Sequence, residues 1–335
     1  MRIAFYAPMK SPDHPLPSGD RQVGRLLMEA LTRGGHDVSL ASQFRSWDGK
    51  AMQQAALKKA GTEESEALIE SFKMLPHAQR PDVWFTYHLY YKAPDWIGPA
   101  VARAMGIPYV VAEASVAYKR AGGPWDIGHR QVLDALAAAS AVVTLNPGDA
   151  ECLPLPEKSR LLPPFLDPAP YEEAASRGRA RRQGLAASLG LDPDMPWLLS
   201  VAMMREGDKL ESYRVLSAAL AQLPDLTWAL LVAGNGPASE TVRGLFEAFP
   251  ADRIRFLGTL GPRQLTTFYG ACDLLVWPAV REAYGMALLE AQASGLPVLA
   301  GRSPGVESIV ASGETAVLVD VGSVPAFAEA LAALL

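Results

Sequence analysis

Apolar residues in this chain fall into short continuous runs, separated by stretches with helical spacing. Residues 3–7 are apolar up to Pro8, which predicts a strand buried on both faces. A loop rich in Pro, Ser and Gly follows at 11–19. Val23, Leu26, Leu27, Ala30 and Leu31 then recur at i, i+3, i+4, i+7 and i+8, one apolar helical face. Gly34 and Gly35 supply its stop. Strand-like runs continue at 38–41, 83–87, 109–112 and 141–145, with helix-like stretches at 96–105 and 130–139. The alternation restarts with strand-like runs at 197–202, 228–233, 254–257, 274–277, 298–300 and 316–319. Helix-like stretches separate them at 210–222, 239–249, 262–271, 285–293 and 306–311, and a last one covers 325–335. Such alternation predicts parallel sheets joined by right-handed crossovers. The expected fold class is α/β, with two doubly wound parallel-sheet domains in tandem.

Two stretches break the pattern. Residues 50–75 are polar and Ala-rich and carry Lys58, Lys59, Glu63, Glu64 and Glu66, which reads as one or two surface helices inserted into the sheet order. Between about 154 and 196, Pro154, Pro156, Pro163, Pro164, Pro168 and Pro170 come close together, followed by Arg177, Arg179, Arg181 and Arg182. Proline at this density disrupts strand and helix interiors. The expected division is an N-terminal domain over 1–160, a Pro-rich linker over 161–195 with a short helix at 180–189, and a C-terminal domain over 196–335. Doubly wound sheets bind ligands beyond the carboxyl ends of their strands, so the site is expected in a cleft between facing domains.

Composition narrows the function. With 335 residues and 49% hydrophobic content the chain can fill two cores. Lys+Arg number 31 against 36 Asp+Glu, a net charge of -5, so nucleic acid is not the expected partner. Cys152 and Cys272 form neither a disulfide framework nor a metal-ligand spacing, and fit a reducing cytosol. The N-terminus reaches Pro8 and Lys10 too soon for a signal peptide. No run reaches the roughly 18 apolar residues that span a bilayer. The expected location is cytoplasmic, with peripheral membrane association left open.

The chemistry concentrates between Trp277 and Glu290. A strand ends at Trp277, a loop carries Glu282, and Gly285 opens a helix whose first N–H groups lack internal partners. With the helix dipole, those groups make a seat for phosphate. Eight residues of helix would separate Glu282 from Glu290 by about 12 Å, too far to share a metal and more than a glycosidase pair needs. An extended ligand with a diphosphate between two polar ends fits that spacing. A second feature, Arg205 and Lys209 after the strand at 197–202, places two cations where a leaving diphosphate gathers charge. Gly234-Asn235-Gly236 follows the next strand and permits close backbone approach. It lacks the G-x-G-x-x-G fingerprint, which argues against a dinucleotide cofactor. Asp192-Pro-Asp194 reads as a turn, and no cluster suggests a metal site.

Glu282 and Glu290, with seven residues between, resemble the E-x7-E element of retaining GT-B glycosyltransferases, in particular glycosyltransferase family 4. Phe256-Leu-Gly-Thr259, Tyr269-Gly-Ala-Cys-Asp273, Ala291-Gln-Ala-Ser-Gly-Leu-Pro-Val298 and Gly305-Val-Glu307 are similar to that family's strand ends and turns, in order. The resemblance is specific over about 196–320; in the N-terminal half it rests on architecture and the Ser18-Gly19-Asp20 loop. It implies a GT-B fold, two Rossmann-like domains facing across a cleft. It also implies transfer of a sugar from a nucleotide-diphospho-sugar to an acceptor hydroxyl, with retention and without a metal or resident cofactor. The acceptor would be a sugar, lipid or small molecule. In that frame Glu282, Arg205 and Lys209 are catalytic, with Glu113 in roughly the place where many relatives carry a His, and His88 an alternative to it. Gly19, Asn235, Gly236, Tyr284, Gly285, Met286, Ala287 and Glu290 would bind the donor. The basic loop of Lys119 and Arg120 would receive an anionic acceptor or serve as a surface turn. Two other readings stay open: a GT-B-like epimerase or phosphorylase, and a non-catalytic nucleotide-sugar-binding protein.

Overall fold

The computed structural model describes every residue except 17, 146–152, 154–155 and 283–284, together with the side chain of Arg179. Tyr284, expected to bind donor, and Cys152 therefore lie outside the described residues. The chain divides into two compact units, Met1–Pro163 and Pro164–Leu335.

The first unit is built on β1 (Arg2–Tyr6), β2 (Asp37–Ser42), β3 (Val83–Leu89), β4 (Tyr109–Ala114), β5 (Ala141–Thr144) and β6 (Ser159–Leu161). All pair in parallel, in the order β2-β1-β3-β4-β5-β6. β6 has no counterpart among the expected strands, because three residues at a sheet edge carry no pattern. Central β1 and β3 are almost wholly buried, whereas the edge strand β2 is partly exposed, which accounts for its weaker apolar run. Residues 50–75 contain one helix, Gln54–Met74. It is more than a surface insertion: Leu68, Ile69 and Phe72 pack on the core, and Gly61 lies against Trp96 where a Cβ would come within 2.4 Å.

A fully buried carboxylate ties this unit together. Asp95 accepts from Thr86 Oγ1 at 2.6 Å, Tyr109 Oη at 2.9 Å, and the backbone N–H groups of Ile97 and Gly98 at 2.8 and 2.7 Å. Burial pushes its carboxyl up from the ordinary range against the pull of those bonds. β3, β4 and the helix Gly98–Met105 thus meet at one satisfied acceptor.

The second unit is built on β7 (Trp197–Val201), β8 (Ala229–Ala233), β9 (Ile254–Gly258), β10 (Leu274–Trp277), β11 (Val298–Arg302) and β12 (Ala316–Asp320). Their order is β12-β11-β10-β7-β8-β9, again all parallel. β7, β8 and β10 are continuous buried runs, and Trp197, Trp228 and Tyr213 are among the largest fully buried side chains. Burying side chains of this kind stabilises by roughly 1.5–3 kcal/mol each.

The expected linker is corrected over most of its length. Residues 161–195 hold the 21-residue helix Ala169–Leu189, part of the second unit, rather than a connection with a short helix at 180–189. Proline stops only at its start, with Pro168 and Pro170 in the first turn, where a missing N–H costs nothing. Its arginines are structural anchors too. Arg182 donates to both carboxylate oxygens of Asp273, at 3.0 and 2.9 Å, and lies 4.4 Å from the Trp197 ring centre. The helix meets the helix Pro262–Ala271 at two glycines: a Cβ on Gly178 would fall 1.7 Å from the Gly270 carbonyl oxygen, and one on Gly270 2.4 Å from that of Ala174. Gly178→Ala is expected to destabilise the second unit by about 1–3 kcal/mol, through forced separation of the helices. Urea unfolding checks this; a linker glycine would leave the midpoint unchanged.

Candidate functional site

In the second unit the neighbours β7 and β10 start crossovers that run to opposite sides, so the loops after them diverge and leave a crevice. Lys209 lies beyond β7 and Glu282 beyond β10. The structure joins these two expected catalytic residues, 73 positions apart, in an ion pair. Only 19% and 12% of their side chains are exposed, so the contact is shielded from the screening that weakens surface pairs. Trp277 Nε1 donates to the same Glu282 oxygen at 3.0 Å, and its ring lies 5.3 Å from the Lys209 ammonium. Asp208, next to Lys209 in sequence, faces Arg281 at 3.5 Å.

The loop beyond β10 is held in an unusual backbone. Ala279, Arg281 and Gly285 have φ of 54°, 47° and 69°. The two non-glycines each cost about 1 kcal/mol or more, stored where the surrounding fold fixes the path. Ser212 Oγ accepts from Val280 N at 3.0 Å, and Ser303 Oγ donates to the Glu282 carbonyl at 3.1 Å. A Cβ on Gly285 would meet Leu288 Cδ1 at 2.9 Å and Glu282 Cγ at 3.2 Å. Gly285 thus seats the Glu282 side chain at the mouth of the helix Met286–Ala293, where Met286 and Ala287 supply the first N–H groups.

Glu290 lies on that helix, half-buried. Tyr269 Oη donates to its carboxylate at 2.8 Å, and the Tyr171 hydroxyl lies on the same side. Burial pushes the carboxyl up from the ordinary glutamate range, against the pull of both tyrosines. Arg205 is exposed on the loop beyond β7.

Asn235 and Gly236 sit in a loop packed closely against the chain's own backbone. A Cβ on Gly234 would fall 1.9 Å from the Ala202 carbonyl oxygen, and one on Gly236 2.2 Å from that of Met204. The backbone these glycines approach is the chain's own loop beyond β7. Met204 N donates to the Asn235 carbonyl and Ala238 N to that of Met204, both at 3.0 Å. Asn235 Oδ1 accepts from Gly236 N at 2.8 Å and Ser239 Oγ at 2.6 Å. The loop braces the segment that carries Arg205 and Lys209.

In the first unit the equivalent crevice lies between β1 and β3. Gly19 is the first residue of the helix Gly19–Arg33, exposed, with nothing near a would-be Cβ. Ser18 caps this helix, by accepting from Arg21 N at 3.3 Å. Asp20 instead faces His88 Nδ1 at 3.0 Å. Burial would raise the Asp20 carboxyl, but the bond and charge of His88 outweigh it and hold the carboxyl below its ordinary range. His88 and Glu113 both have left-handed backbones, φ 64° and 58°. Register pairs Tyr87 with Ala112 and Leu89 with Ala114, so the two stand opposite each other at the ends of β3 and β4.

Sequence reading missed Trp277 as a Glu282 partner, the tyrosines at Glu290, and the Asp20–His88 contact. An aromatic residue closing a strand just before a charged loop was a usable signal for Trp277. Nothing in the spacing of Asp20, His88, Tyr171 or Tyr269 foretold their partners.

Residues 189–335 match the family model described as Glycosyl transferases group 1. The D-inositol 3-phosphate glycosyltransferase of Corynebacterium glutamicum is 40% identical over 131 residues, 36% of this chain and 31% of the relative. The enzyme of the same name from Acidothermus cellulolyticus is 28% identical over 281 residues, 77% of this chain and 61% of the relative. The chain thus spans less than two thirds of these curated relatives. The Anabaena protein HepE, solved in complex with UDP, superposes with a TM-score of 0.71 at 17% identity, covering 99% of this chain and 89% of that one. Two Rossmann-like units, each with six parallel strands, match GT-B glycosyltransferase structures.

Glu290 gives a pH prediction. Its folded carboxyl is raised, so between the ordinary and the raised value the unfolded state releases its proton first, and stability falls as pH rises. Glu290→Gln is expected to remove that decline. Unfolding midpoints measured from about pH 4 to pH 8 check it; parallel curves for the two proteins would refute the assignment.

Proposed function

We propose that this chain is a group 1 glycosyltransferase of the GT-B type, which moves a sugar from a nucleotide-diphospho-sugar to an acceptor hydroxyl. The observation that carries the reading is the Lys209–Glu282 pair beside Trp277, formed across the crevice at the opening of the Met286–Ala293 helix. A diphosphate would seat on the Met286 and Ala287 N–H groups, with Lys209 and Arg205 beside it. Glu282 would hold the sugar and Glu290 the ribose, with Asn235 and Gly236 near the base. The match of residues 189–335 to the family supports this placement.

In this mechanism the donor takes over Lys209 from Glu282, which frees the carboxylate to accept from sugar hydroxyls. The C–O bond to the leaving phosphate breaks as positive charge from Lys209, Arg205 and the helix opening stabilises the departing diphosphate. The acceptor hydroxyl attacks on the face that the phosphate leaves, and its proton passes to that phosphate. The anomeric configuration is retained, and the side chains supply the cationic charge without a metal. The first unit presents the acceptor at the ends of β3 and β4, where Glu113, with His88 opposite, orients its hydroxyl. Gly19 lets the loop beyond β1 approach the donor.

Thermal shift with UDP, GDP, ADP and their sugars identifies the donor, since ligand binding stabilises by mass action. Lys209→Ala is expected to lower turnover by about 2–4 kcal/mol of transition-state stabilisation. Glu290→Ala is expected mainly to weaken donor binding. The anomer formed is read by proton NMR. Unchanged kinetics in both variants, with donor saturating normally, would overturn the proposal.

A further inference from the structure

Lys209 and Glu282 share a third residue. Trp277, the last residue of β10, is buried and meets one of them with its edge and the other with its face. Its Nε1–H donates at 3.0 Å to Glu282 Oε2, the oxygen that Lys209 also holds. The Lys209 ammonium stands over the indole, 5.3 Å from the ring centre. Among the described residues, only these two donate to the Glu282 carboxylate, and neither uses Oε1.

The indole has little freedom. Register pairs Trp277 with Ala300 of β11, and a Cβ on Gly301 would fall 1.9 Å from the Pro278 carbonyl oxygen, so the backbone at Trp277 and Pro278 is packed against that strand. Tyr213 meets the ring edge to face, at 75° and 5.1 Å between centres, and its own Oη donates to the Ala202 carbonyl at 3.1 Å. Tyr213 stands one turn beyond Lys209 on the helix Asp208–Leu220. One helix thus carries both the cation and the brace of the indole that faces it.

A bound diphosphate acts differently on the two donors. It competes for Lys209 through charge. The indole N–H is neutral, its ring is fixed, and a buried donor stripped of its acceptor is costly. When Lys209 turns to the diphosphate, Trp277 therefore keeps its hold on Oε2, and Oε1 is left to a sugar hydroxyl.

We propose that Trp277 is a positioning residue, whose indole N–H keeps the Glu282 carboxylate aimed at the sugar after the donor diphosphate has drawn Lys209 away. This rests on the reading above that Glu282 holds the sugar and Lys209 the diphosphate. Loss of the N–H is then felt in turnover more than in donor binding, because the nucleotide and the diphosphate keep their own contacts.

The test alters Trp277 in the full chain in two ways. Trp277→Phe removes the N–H and part of the ring. A benzothiophene analogue of the same side chain keeps the ring's size and its face and removes only the donor. Turnover is followed as release of nucleoside diphosphate from the donor found by thermal shift. Both changes are expected to lower kcat about tenfold or more, with KM for the donor and Kd for the nucleoside diphosphate held within about twofold. A ring that only fills space would cost Trp277→Phe melting temperature and leave kcat of the benzothiophene chain unchanged, which overturns the proposal and leaves the transferase reading standing. A second readout needs no turnover. The Trp277 indole proton is the NMR signal lost in Trp277→Phe. Lys209→Met imitates departure of the ammonium, and in it the signal is expected to stay at the low field of a proton bound to a carboxylate, while Glu282→Gln moves it upfield. An equal upfield move in Lys209→Met shows that the cation alone aims the carboxylate, and the proposal falls. If the unaltered chain binds no nucleotide-sugar at all, the transferase reading falls and takes the proposal with it.

Discussion

A parallel strand cannot be joined to its neighbour by a hairpin. Each connection must cross the sheet and return, so every carboxyl end opens on the same edge. Where successive crossovers run to opposite sides, adjacent loops part and leave room for a ligand. Each unit has one such point, between β1 and β3 and between β7 and β10. At both, an acidic and a basic residue at or beyond the carboxyl ends of the two flanking strands meet: Asp20 with His88, and Lys209 with Glu282. Sheet topology thus brings chemically active residues together over long stretches of sequence.

The rest of each site is held against local preference. Among the described residues, the non-glycines with left-handed backbone are Ala51, His88, Glu113, Ala279 and Arg281. All stand at or beyond the carboxyl end of a strand. Buried strands behind them supply enough packing to offset that strain. Charged groups are treated in the same way. Glu282 has Lys209 and the Trp277 N–H, and Glu290 has the Tyr269 hydroxyl, so neither carboxylate meets apolar surroundings without a donor.

Much of this was written plainly along the chain. Buried strands announce themselves because both faces are covered, which leaves continuous apolar runs such as 274–277. The helix beyond Gly285 and its flanking glutamates were legible because their relation is local, set by a few residues of backbone. Proline content misled over 161–195: two of the prolines sit in a first turn, where proline is at home, and a long helix follows. The glycines around Asn235 were legible as a close approach but not as an approach to what, since a ligand and the chain's own carbonyls demand the same missing Cβ. Edge strand β6 was invisible because its pairing comes from β5 rather than from its own three residues.

By itself, then, the sequence determined the alternation of strand and helix, two tandem sheets, and a phosphate-type helix opening between two glutamates. These follow from hydrophobic period and backbone chemistry, which act over a few neighbouring residues. Only the tertiary structure decided that Lys209 reaches Glu282, that Tyr269 holds Glu290, and that Asp20 faces His88. Those pairings depend on strand order and crossover direction, which join positions far apart in the chain and leave no periodic trace along it.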